Sequence, residues 1–190
     1  MAHDISFDIN GKAQMAYAGD TPWHGLGQAL TAGAALDTWI EQAGFNYEIL
    51  QAPLHFATAA APAAPITLAD KVACYRSDTG AYLSTVGTKY NIVQPRDIAE
   101  FFREACEKLG YEMVTMGVLA KGTKYWALAK TGQTGIVGKK GKHADRIESY
   151  VLLVTACDGS LRTTGLHTSV RVARRSRSAR LRSAWFAPTP

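Results

Sequence analysis

Thr123–Lys130 alternates in a way that could support chemistry. In an extended chain its even spacing puts Lys124, Trp126, Leu128 and Lys130 on one face and Tyr125, Ala127 and Ala129 on the other. An aromatic ring between ammonium groups on an open sheet suits single-stranded nucleic acid: the ring stacks a base and the lysines meet phosphates. Lys89 and Tyr90 would extend that surface from a central strand. In the competing reading Trp126 is core and the lysine stems lie along the strand ends. Lys139, Lys140 and Lys142, on a glycine-rich stretch from Gly132 to His143, add point charges for phosphate backbone or form a solvated loop. This stretch is not a Walker loop. The pattern G-x-x-x-x-G-K-[ST] needs Gly where Gln133 stands and a hydroxyl where Lys140 stands.

Thr21-Pro-Trp-His-Gly-Leu-Gly27 is the second distinctive run. Pro22 fixes a backbone angle and the glycines permit tight turns, so Trp23 and His24 are presented from a defined loop. Trp23 could stack a base and His24 bind a phosphate. Equally, Trp23 could pin the chain to the core while His24 caps a turn. Catalytic patterns are missing. There is no G-x-S-x-G, no C-x-x-C, and no histidine pair at i+3 or i+4 among His3, His24, His55, His143 and His167. No catalytic residue, metal or cofactor is expected. Cys157, beside Asp158-Gly159, is the thiol to weigh for reactivity; an enzyme would need a pocket gathering it with His24 or Asp158.

The elements that must position these residues are led by a helix over 95–109. Ile98, Phe101, Phe102, Ala105, Cys106 and Leu109 fall on one face, Pro95 suits the first turn and Gly110 the stop. Arg96/Glu100, Arg103/Glu107 and Glu104/Lys108 pair at i+4 on the outside. Val86–Gln94 reads as a short strand running into it. A short N-terminal helix is expected over 34–43, with Leu36, Trp39, Ile40 and Ala43 inward, then a strand over 45–56. Ala57–Pro65, almost all Ala and Pro, reads as a mobile linker. Hairpins are expected about Ser77–Gly80 and Lys121-Gly122, and strands over 149–155 and 161–172. The sum is α+β with a largely antiparallel sheet: an N-terminal arm over 1–33, one domain over 34–172, and a tail over 173–190.

Three stretches carry a resemblance: Val86-Gly-Thr-Lys-Tyr-Asn-Ile-Val-Gln94, Ala18–Gly27, and Thr155–Ser160 with Thr168-Ser-Val-Arg-Val172. They resemble the phage/plasmid-related protein family, the bacterial domain of unknown function 932. No activity is settled for that family, so the resemblance implies a mobile-element setting and no reaction. Family members continue past Val-Arg-Val with a Cys-x-Asn-Thr-Leu-like stretch that is missing here. That implies a truncated or frame-shifted member whose residues from 173 on are basic, disordered and not native to the fold. The alternative is a genuine phosphate-binding arm.

Charge and composition bound the rest. The net charge of +5 belongs to the tail, where Arg174, Arg175, Arg177, Arg180 and Arg182 face no acid. Residues 1–173 are formally neutral, which argues against strong polyanion binding unless the charge is segregated. The three cysteines (Cys74, Cys106 and Cys157) suit reduced thiols, and the first residues lack the basic start and apolar run of a secretory signal, so a cytoplasmic protein is expected. No membrane span is expected. The expected function is single-stranded nucleic-acid binding of annealing type, with single-stranded DNA and further copies of the chain as partners. The alternatives are a protein-interaction factor acting through the N-terminal motif, and an unrecognised enzyme.

Overall fold

The computed structural model describes residues 4–137 and 145–172. Helix α2, Pro95–Leu109, has the expected limits. Gly110 closes it in the left-handed region at φ 67°, and the Tyr111 N–H returns to the Cys106 carbonyl at 2.8 Å. Its buried stripe is Pro95, Ile98, Ala99, Phe102 and Cys106. Phe101 and Leu109, expected inside, are 58% and 60% exposed because the stripe follows the 95/98/99/102/106 line and leaves them on its flank. All three expected ion pairs form, at 2.6–3.2 Å, on the solvent side. Helix α1, Leu36–Ala43, buries Trp39, Ile40 and Ala43.

The expected N-terminal arm is instead part of the sheet. Strands β1 (Met15–Ala18) and β2 (Gln28–Leu30) precede α1, and residues 19–27 cross over to make them parallel. They continue a sheet with β6 (Glu112–Leu119), β7 (Lys124–Val137), β8 (Asp145–Ala156) and β9 (Thr164–Val172). Its order is β2-β1-β6-β7-β8-β9, antiparallel everywhere except β1–β2, so the sheet is mixed. A second, antiparallel sheet orders β3 (Ile49–Thr58), β4 (Ala61–Arg76) and β5 (Tyr82–Gly87). The architecture is α+β.

Two expectations are corrected here. The Ala/Pro run at 57–65 is not a linker: Thr58 pairs with Ala61, and Phe56 with Ile66, in a tight β3–β4 hairpin. Nor does Val86–Gln94 form a strand. Strand β5 ends at Gly87, the Tyr90 N–H turns back to the Gly87 carbonyl, and the Gln94 side-chain amide takes over both hydrogen-bonding groups of Ile49 at 2.8 and 3.1 Å. A side chain thus does the pairing that a strand would have done.

Both helices lie on one face of the six-stranded sheet, over Ala16, Met116, Val118, Tyr125, Ala127 and Ala129. The two sheets meet at a buried polar hub. The Gly122 carbonyl accepts from the Tyr125 hydroxyl at 2.9 Å and the Tyr47 hydroxyl at 3.2 Å, and the two hydroxyls lie 2.7 Å apart. The Arg76 guanidinium sits 3.6 Å from the Tyr47 ring centre, binds Asp78 at 2.7 Å and reaches Gln14 at 3.2 Å. Burial pushes Tyr47 up to about 12, outweighing its bond to Tyr125 and the nearby Arg76 charge, and it drives Tyr125 upward too. Burial opposes the charge on Arg76, but Asp78 and the tyrosines more than restore it.

The hub constrains the β6–β7 connection, where Ala120 and Lys121 hold φ of 52° and 56° and Gly122 holds 104°. A Cβ on Gly122 would stand 3.1 Å from Arg76 Nη1 and 3.3 Å from the Tyr47 hydroxyl. Gly122→Ala is therefore expected to cost about 1–3 kcal/mol from the backbone conformation alone, measured as a fall in denaturant midpoint. An acid titration tests the ion pair. The hydrogen bond from Arg76 holds the Asp78 carboxyl below its ordinary 3.8. Its stabilisation is full above that ordinary value and is lost as pH falls through the lowered one. Asp78→Asn should flatten the acid limb of the stability–pH curve and leave its neutral slope unchanged.

Candidate nucleic-acid interface

The alternation in β7 places its residues as expected. Tyr125, Ala127 and Ala129 are buried under the helices, while Lys124, Trp126, Leu128 and Lys130 turn to the sheet's outer face and are half-buried. Cross-strand register fixes their neighbours. Trp126 lies between Gly117 and Val154, Leu128 between Thr115 and Leu152, and Leu166 follows Leu152 on β9. A Cβ on Gly117 would stand 3.1 Å from Trp126 Nε1, so the ring rests against β6 where there is no side chain.

The charges on this face are unevenly available. Lys130 Nζ binds Glu148 at 2.8 Å, Tyr150 donates to the same carboxylate at 3.0 Å, and Arg146 approaches it at 3.6 Å. The bond from Lys130 is the main reason that Glu148 is held below the usual carboxylate range. Burial, with Glu148 beside it, pushes Tyr150 up to about 12. Lys130 is thus neutralised in place. Lys124 makes no ion pair among the described residues.

The Thr-Pro-Trp-His motif comes to the same side. It belongs to the β1–β2 crossover, and its ends hold the outward residues of β1. The Tyr17 hydroxyl reaches Thr21 Oγ1 at 3.5 Å, and a Cβ on Gly27 would stand 3.1 Å from Met15 Cγ. His24 Nδ1 accepts the Leu26 N–H at 3.0 Å and so caps the turn. Trp23 is 48% exposed and packs edge-on against His24 with ring centres 5.5 Å apart.

Lys89 and Tyr90 are not brought to this face. They lie on the loop after β5, Lys89 exposed and Tyr90 half-buried beside Gly159 and Cys157, where burial raises its phenol pKa. Lys139, Lys140 and Lys142 lie outside the described residues. Residues 132–137 of the expected glycine-rich loop are strand instead, since β7 runs to Val137. Sequence reasoning missed Glu148 and Tyr150. Their signal was the Arg146/Glu148/Tyr150 alternation, which begins ahead of the strand expected over 149–155 and enters it at Tyr150.

Catalysis finds little support in this geometry. Cys157 is buried at the hub, donating to the Gly122 carbonyl at 3.7 Å, whereas His24 belongs to the β1–β2 crossover and caps its turn. Burial pushes the Cys157 and Cys106 thiols up to about 11 and raises Cys74, so all three are protonated at neutral pH. Among the described residues no group of three or more His, Cys, Asp or Glu could hold a metal ion, and no helix is long and apolar enough to cross a membrane. A thiol reagent such as DTNB should label the native chain at none of its three cysteines within minutes, and at all three in guanidinium.

No curated protein and no solved structure matches the chain. A family model does match, over the segment that runs from β5 through α2 to β9 and thus holds β7 but not the Thr-Pro-Trp-His motif. Residues 82–173 match the family model described as domain of unknown function, DUF932.

Proposed function

We propose that the outer face of the six-stranded sheet binds single-stranded nucleic acid, with Trp126 stacking a base and Lys124 meeting a phosphate. The observation that carries this reading is the half-buried Trp126 beside Lys124, on the face where Met15 and Tyr17 meet the two ends of the Thr-Pro-Trp-His loop. Stacking on an open sheet is tolerant of sequence, and it needs few charges where aromatic surface supplies the affinity. The resemblance to phage/plasmid-related proteins suits a role in mobile-element DNA metabolism. A second reading, protein interaction, draws on Leu128, Leu152 and Leu166, which stand in register across three strands of the same face.

Anisotropy of a labelled oligodeoxythymidylate, titrated with the full chain at several salt concentrations, tests the proposal. Trp126→Ala is expected to weaken binding by roughly 5- to 150-fold, the range for one stacked base. Lys124→Ala should lower the salt slope by about one, and Tyr90→Phe should change nothing. A chain with the five tail arginines changed to serine keeps its binding if the sheet is the site. Loss of binding only in that variant, or no binding by the parent chain, rejects the proposal.

A further inference from the structure

The β3–β4 hairpin is a surface that the nucleic-acid reading does not use. Ahead of Lys71, β4 pairs with β3 alone, since β5 reaches only from Lys71 to Tyr75. Residues 61–67 are all exposed, so the distal half is a two-stranded ribbon standing off the body. Such a ribbon is marginal in water unless something packs on it.

Its composition narrows what that is. Between Glu48 and Asp70 there is no Asp, Glu, Lys or Arg. Leu54 pairs with Leu68 and Phe56 with Ile66, which puts all four side chains on one face, with Phe56 44% and Ile66 49% exposed. The opposite face carries His55 bound to Thr67 at 2.9 Å. Pro53, Pro62 and Pro65 remove N–H donors from both strands, which works against open-ended edge pairing and leaves the apolar face as the contact. A face without charge offers nothing to a polyanion. It is complementary to itself, because pairing two neutral faces brings no like charges together.

We propose that this ribbon is a self-association arm: its Leu54/Phe56/Ile66/Leu68 face packs on the same face of a second copy, giving a two-fold dimer. The contact is isologous and closes at two chains. Each face is roughly 25 Å by 10 Å, so the pair buries on the order of 500 Å², below the size of a stable interface and suited to a weak, reversible dimer.

Sedimentation equilibrium of the full chain, from about 1 to about 200 µM, spans the dissociation constants expected of such a contact. The expected result is a monomer–dimer equilibrium within that range. Phe56→Glu with Ile66→Glu should weaken it at least about tenfold, or 1.4 kcal/mol, with circular dichroism and melting temperature unchanged, since the arm contributes little to the core. Phe56→Ser with Ile66→Ser is the milder second variant and must move the same way. A parent chain that stays monomeric throughout, or variants that dimerise as it does, would overturn the proposal.

Discussion

The Gly122 carbonyl is the point on which the two sheets depend. Tyr47, from the segment between α1 and β3, and Tyr125, on β7, both donate to it, and Cys157 at the end of β8 completes the cluster. Arg76 on β4 lies over the Tyr47 ring. A buried guanidinium and two buried phenols are costly unless every polar group is satisfied. Here the two phenol protons are shared between the carbonyl and the 2.7 Å contact of one hydroxyl with the other, and the guanidinium is met by Asp78, Gln14 and the ring. The positive φ values at Ala120, Lys121 and Gly122 are the backbone strain that aims this carbonyl inward.

The six-stranded sheet has two sides with different work. Its inner side is small and apolar at Ala16, Ala127 and Ala129, which lets α1 and α2 approach closely. The outer side carries Trp126, Leu128, Leu152 and Leu166 with no helix over them, rimmed by Lys124 and by the Lys130–Glu148–Tyr150 cluster. Strand alternation separates the two sides, so a change at Trp126 does not enter the core. The hairpin arm, on the smaller sheet, stands apart from both sides.

What could be read from the chain was local. The α2 limits follow from Pro95, Gly110 and a 3.6-residue apolar stripe, and the two faces of β7 from simple alternation. What escaped needed partners far along the chain. Alanine and proline have weak strand preference, so it is the hairpin pairing, Thr58 with Ala61 and then Phe56 with Ile66, that makes a strand of the Ala/Pro run. Val86, Tyr90 and Ile92 alternate like a strand, yet Gln94 occupies the hydrogen bonds that such a strand would have used. Tyr47, Arg76, Tyr125 and Cys157 are unremarkable singly, and nothing local marks them as one cluster. The same limit hid the meeting of the Trp-His motif with the outer face, and it made Lys89 and Tyr90 look like neighbours of Trp126.

We propose that nucleic acid lies on the outer face of the larger sheet. Photo-crosslinking an oligonucleotide carrying bromodeoxyuridine, followed by mass-spectrometric mapping of the adducts, addresses it most directly. Adducts at Trp126, with further ones at Trp23, His24 or Tyr150, are the predicted result. Adducts at Tyr90, adducts confined to residues 173–190, or none at all would contradict it.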